Sequence, residues 1–153
     1  MEGATAARLE ELFADGSAVM VVTRDDDHNP HVTRGWGGVV DAENGRLDLC
    51  LTTSDDLMVV PDLEANGAIA VTVAHTATYR AMQVTGTVEW IGEITEDDRA
   101  RIARHVEQFT AQVVRAGLPP TIARIAGERF VAVRIAVQQC FEQTPGPKAG
   151  SAL

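Results

Sequence analysis

The sequence predicts a mainly β chain: six short antiparallel strands forming a closed or partly closed barrel, with helices at its ends and one inserted before the last strand. Three observations carry this. The first is the segment Thr78–Ile91, where Met82, Val84 and Val88 alternate with Gln83, Thr85 and Thr87. Period two with one apolar face marks a half-buried strand. The second is a pair of polar turns, Asp25–Asn29 and Asp41–Gly45, which set the early strands out as sequential hairpins. The third is a clear amphipathic stretch, Thr95–Arg115, with Ile102, Val106, Phe109 and Val113 at spacings of three and four.

In chain order, Thr5 to Asp15 reads as a short helix, capped by Thr5 and stopped by Gly16. Strand one covers Ser17–Arg24 and strand two runs from Pro30 to Val40. Leu47, Leu49 and Leu51 alternate with Asp48, Cys50 and Thr52 to give strand three. Ser54 is the expected N-cap of a helix ending at Asn66, with Asp55 and Asp56 in its first turn and Pro61 keeping it short. Ala68–Ala74 is strand four. Strand five is expected over Tyr79–Ile91, with Arg80, Met82, Val84, Val88 and Trp90 on one face, and Gly86 marks a bulge or a close backbone approach. Thr95-Glu96-Asp97-Asp98 resembles a capping start for the long helix. Pro119–Gly127 predicts a further short helical turn, and Arg129–Cys140 the last strand. Residues 1–144 make a single domain, and 145–153 are a Pro/Gly-rich tail expected to be extended or mobile.

Composition narrows the function classes. The chain has 153 residues and a net charge of −9, with 13 basic residues against 22 acidic ones. A basic footprint for nucleic acid is missing. No apolar run reaches the length of a membrane span, and the first residues lack the pattern of a signal peptide, so the expected location is the cytoplasm. Lys148 is the sole lysine, so an anion would be met by Arg, His or backbone N–H. Cys50 and Cys140 stand alone in separate strands, which reads as two reduced thiols rather than a metal framework or a redox pair. No histidine pair has metal-ligand spacing. His28 falls in a hairpin loop, His75 in the loop before strand five, and His31 on strand two. His105 is expected on the surface of the long helix.

Strand two, the Asn44-Gly45 turn, strand three, the Ser-led segment and the Tyr-Arg-x-x-Gln-Val-x-Gly strand occur in that order. Together they resemble the pyridoxamine 5′-phosphate oxidase-like family, the FMN-binding split β-barrels, over nearly the whole chain. The resemblance implies a homodimer whose cofactor lies in a groove at the subunit interface. It implies phosphate contacts from Arg34 on strand two and from Ser54, with Thr52 and Thr53 beside it. Arg80 could add compensating charge and Gln83 could take the place of a family glutamine. Trp36, set among Gly35, Gly37 and Gly38, could lie against a flat ring or fill the barrel or dimer core. The chain departs from the family pattern at Asp55 and Asp56, where two basic residues are expected. The implied activity is hydride transfer through FMN to a small substrate, with no side chain named as catalytic. The alternatives are a dimeric binding or sensing protein that has lost tight flavin binding, and a split barrel using the deazaflavin F420 or haem.

Overall fold

The computed structural model describes residues 1–123 and 129–153. The elements are α1 Gly3–Ala14, β1 Ala18–Arg24, β2 Pro30–Asp41, β3 Arg46–Thr53, α2 Val59–Asn66, β4 Ala68–Ala74, β5 Ala81–Gly92, α3 Glu96–Arg115 and β6 Arg129–Glu142, with a 3₁₀ turn at Pro120–Ala123. The rest of the predicted turn, 124–127, lies outside the described residues. The six strands close into an antiparallel barrel in the order β1-β2-β3-β6-β5-β4, as the hairpin reading predicts.

The alternation that defines each strand also fills the barrel. Val19 and Val21, Leu47, Leu49 and Leu51, Val71 and Val73, and Met82 and Val84 point inward and are fully buried. Leu9, Leu12 and Phe13 of α1, with Val59 and Leu63 of α2, join the same core. A second core forms outside the barrel wall, where α3 lays Ile102, Phe109 and Val113 over Trp36 and Cys50. Both cysteines are free and buried, and burial pushes the Cys50 thiol up to about 11. They are inert thiols in the described fold.

Helix ends follow local chemistry with two corrections. Thr95 and Asp98 form the expected capping box of α3: the Asp98 N–H donates to Thr95 Oγ1 at 3.1 Å, and the Thr95 N–H donates to Asp98 Oδ2 at 2.8 Å. Thr5, however, lies inside α1, which starts at Gly3 after Glu2. Ser54 does not cap α2. The chain makes a turn first, with the Leu57 N–H donating to Ser54 O, and the helix begins at Val59 after Met58. Pro61 then falls in the first turn, where its missing N–H costs nothing. Gly67 ends α2 at φ +68°.

Two bulges shape β5. The register shifts between Thr85 and Gly86, where a Cβ on Gly86 would stand 2.2 Å from the Ala136 carbonyl oxygen. A side chain therefore does not fit. A second shift between Val88 and Trp90 turns Trp90 outward, so it is half exposed rather than continuing the Met82–Val88 face. The tail is neither extended nor free. Ala152 bridges to Phe141, the Leu153 N–H donates to Cys140 O at 2.9 Å, and the Glu142 N–H donates to Ser151 O at 2.9 Å. It folds back along the last residues of β6, which extend past the end of β3.

Candidate functional site

Arg34 and Trp36 are two residues apart on β2 and so leave the same face of the strand. That face carries the second core. Trp36 is 1% exposed, and its Nε1–H donates to Thr52 Oγ1 at 2.8 Å. The Thr33 hydroxyl donates to the Thr52 carbonyl at 2.7 Å. Trp36 and Thr52 are thereby committed to each other, and the Trp36 ring is packing within the subunit, edge-on to Phe109 and His105. Of the two roles open to it, filling the core is the one its burial serves in this subunit.

Arg34 is held differently. Its guanidinium carbon lies 5.2 Å from the Trp36 ring centroid and 5.0 Å from that of Phe109. The rings stabilise the cation without neutralising it. Burial draws its pKa down, though an arginine stays charged at neutral pH. Among the described residues its buried Nε has no hydrogen-bond partner and no carboxylate forms an ion pair with the group. A buried donor left open is costly, so it marks a place where an acceptor from outside would be favoured.

At the C-terminal end of β3, Thr53 and Ser54 line an open cleft of about 550 Å³ with Arg99, Arg129 and Phe130; Arg34 and Thr52 are not among its lining residues. Thr53 pairs in register with Arg129 of β6, and Thr52 with Phe130. Asp55 also lines the cleft, and Arg129 Nη2 lies 2.6 Å from its carboxylate. The cleft therefore holds its own cations, on β6 and α3. The residue types after Ser54 give no sign of this, because both partners are distant in sequence.

The other two candidates separate. Gln83 lies on the outer face of the barrel in the same cross-strand row as Arg34: Arg34 pairs with Met20, Met20 with Thr72, and Thr72 with Gln83. Its amide donates to Thr72 Oγ1 at 3.3 Å and accepts from Gln143 at 3.3 Å. Arg80 precedes β5 instead of lying on it, in a turn where Tyr79 has φ +59°. It pairs with Glu11 of α1 through two bonds of 2.7 and 3.3 Å. Glu89 and Asp48 bind Arg46 and Arg134. Arg80 is thus a strap between α1 and the β4–β5 turn and is not among the residues lining the cleft.

His105 corrects the surface expectation. It is 3% exposed, accepts from the Gly37 N–H at Nδ1 (3.0 Å) and faces the Ser17 carbonyl through Nε2 at 2.8 Å. Those partners require the neutral ring with its proton on Nε2. Burial pushes its pKa down, and the Arg34 charge adds to the effect. The signal was in the stripe: Ile102, His105, Phe109 and Val113 keep spacings of three and four. A similar omission concerns Asp62, which falls at helical spacing after Val59 and is buried. Its Oδ2 accepts from Thr23 Oγ1 at 2.6 Å and lies 2.8 Å from His31 Nδ1. His75 accepts two backbone N–H bonds in its own turn. Among the described residues, no group of three or more potential metal ligands occurs, and no helix is long and apolar enough to cross a membrane.

No family model matches the sequence, and the search of curated proteins gives no match. Solved structures do match. An F420 reductase aligns with a TM-score of 0.55 and 17% identity, over 86% of this chain and 94% of that one. A protein related to general stress protein 26, of the pyridoxinephosphate oxidase family, from Clostridium acetobutylicum aligns at 0.52 and 17%, over 92% and 88%. HutZ, the haem storage protein from Vibrio cholerae, aligns at 0.52 and 15%, over 89% and 92%. In fold, the chain is a split barrel of the pyridoxamine 5′-phosphate oxidase-like kind. These similar folds carry different cofactor names, so the fold alone does not choose between them.

Proposed function

We propose that the protein is a homodimeric split-barrel oxidoreductase that binds FMN, with Arg34 and the Thr53–Ser54 end of the cleft receiving the anionic part of the cofactor. The observation that carries this reading is the open Nε of Arg34, a buried cationic donor without an acceptor. An anionic oxygen satisfies both its charge and its hydrogen bond. Thr53 and Ser54 add backbone and hydroxyl donors, and Arg99 and Arg129 add charge at the cleft. Gln83 lies across the outer face from Arg34, and in this reading it would meet the ligand or the second subunit there.

Bound flavin would supply hydride chemistry at its ring; the chain would bind, orient and set the charge around it. The substrate is a small molecule stacking on the open flavin face. The nearest alternative is the deazaflavin F420, whose phosphate is a singly charged diester instead of the dianionic terminal phosphate of FMN; the fold's likeness to an F420 reductase supports this alternative. Haem is the weaker alternative, since the described residues hold no free axial histidine in the cleft. A second reading, a dimeric sensor without tight flavin, is favoured by the carboxylates of Asp55 and Asp56 after Ser54.

Titration of the purified protein with FMN, F420 and haem, followed by absorbance, separates these readings. Saturable FMN binding supports the first. A protein that ignores all three supports the sensor. Arg34→Ala is expected to weaken FMN affinity more than tenfold, and an unchanged affinity removes Arg34 from the site.

A further inference from the structure

We infer that Asp55 is a built-in competitor for the anion end of the cleft: it holds Arg129 in the ligand-free protein and gives it up when a phosphate group enters. This deepens the cofactor reading above and rests on it. Arg129 opens β6 directly beside Thr53 of β3, so the barrel register fixes where its side chain starts. Its contact with Asp55 is a single 2.6 Å bond between side chains that are 57% and 90% exposed. Asp55 sits in the turn between β3 and α2, outside both elements. Such a pair contributes little and is easily exchanged. A phosphate dianion offers arginine two parallel bonds and more charge than one carboxylate oxygen. Thr53, Ser54 and Arg99 surround the same space, so an incoming phosphate meets donors on several sides. Glu93 also lines the cleft and opposes anions, which makes release of Arg129 matter more. The acid that departs from the family pattern then tunes affinity and does not abolish it.

The test uses the full chain, titrated calorimetrically with inorganic phosphate and with FMN. Removing the competing carboxylate in Asp55→Asn should tighten both about twofold to fivefold, the range expected for one exposed ion pair. Asp56→Asn is the control: it removes the same charge next door, but Asp56 forms no ion pair among the described residues. Arg129→Gln should weaken both ligands and cancel the gain of Asp55→Asn in the double variant. The idea is overturned by no gain in Asp55→Asn, by an equal gain in Asp56→Asn, or by a gain that persists without Arg129. Failure of the cofactor reading looks different. There, phosphate responds to Asp55→Asn while FMN does not bind at all. Conversely, FMN binding that needs Arg34 and ignores Asp55 keeps the cofactor reading and discards the competitor. Thermal unfolding of each variant checks that the fold is kept.

Discussion

His105 ties three parts of the chain with one ring: the α3 helix, the Gly37 bend of β2 and the Ser17 carbonyl before β1. Adding a proton to Nδ1 would bring N–H against N–H in a buried space beside the Arg34 cation. Burial holds its folded pKa below the ordinary value of 6.5, and the Arg34 charge adds to this. The sign follows from linkage: the unfolded chain takes up a proton near pH 6.5 and the folded chain does not. Stability is full above that pH and falls as pH drops below it, until the folded ring titrates. Chemical denaturation at pH 7.5 and pH 5 should show this loss in the wild type and a smaller one in His105→Asn. At pH 7.5 the same variant should be about 1–3 kcal/mol less stable, because the Gly37 N–H or the Ser17 carbonyl loses its partner. Equal pH slopes for the two proteins would refute this role. Arg34 lies on the same face, and the guanidinium that lowers the His105 pKa is the one left open to an external anion. Anion binding at Arg34 should thus relax the pH sensitivity of the wild type.

The strands were legible because a two-residue period survives any tertiary context that buries one face. Leu47, Leu49 and Leu51 are inward as the alternation requires. The bulge at Trp90 was not legible, since one unpaired residue reverses every side chain after it and leaves no mark in composition. Ser54 misled for a related reason. A serine followed by two aspartates is a good helix opening, but a turn at the end of β3 uses the same residues. Of the candidate site residues, Trp36 and Thr52 come together because β2 and β3 are neighbours by hairpin, and Thr53 and Ser54 line the cleft, whose lining includes neither Arg34 nor Thr52. The contribution of Arg129 depends on β6 pairing with β3 across a long gap in sequence. Pro and Gly content predicts a loose tail, yet Glu142 anchors it. Arg8 of α1 lies 2.6 Å from that carboxylate, and the Thr144 N–H donates to it at 3.0 Å. The Thr144 bonds first, then Arg8, hold the Glu142 pKa down to about 2, from 4.5. The stabilisation is present above pH 4.5 and is lost as pH falls toward 2. Glu142→Gln should be less stable than the wild type at pH 7, and the two should converge near pH 2. Hydrogen exchange at Leu153 and Glu142 should rise in the variant. Parallel stability curves would show that Glu142 does not anchor these elements.

At the scale of the molecule, the outer wall of the barrel divides in two. Over β2 and β3 it is covered by α3, and its residues form the second core. Along β1, β4 and β5 the segments Ala18–Val22, Ala68–Ala74 and Ala81–Val88 contain no charged residue. Met20 is exposed on this face, and Val32 of β2, paired with Val22, is exposed at its edge. In a chain of net charge −9, mutual repulsion opposes self-association everywhere else. A charge-free sheet face is where two copies could approach, and stable pairing takes about 800 Å² from each. Arg34 is at the border of that face, in one row with Met20, Thr72 and Gln83. Pairing through it would bring Arg34 against the second copy, as the proposed interface groove requires. Sedimentation at micromolar concentration should therefore give a dimer. Thr72→Glu puts a like charge into the centre of the face on both copies and should shift the protein to monomer. Asn44→Glu, on the exposed β2–β3 turn, adds the same charge away from the face and should leave the dimer intact. The cofactor reading sharpens the contrast: Thr72→Glu should lose FMN together with the dimer, and Arg34→Ala should lose FMN and keep it. A wild type that sediments as a monomer, or a Thr72→Glu variant that stays paired, would place the contact elsewhere and break the link between this face and the cofactor.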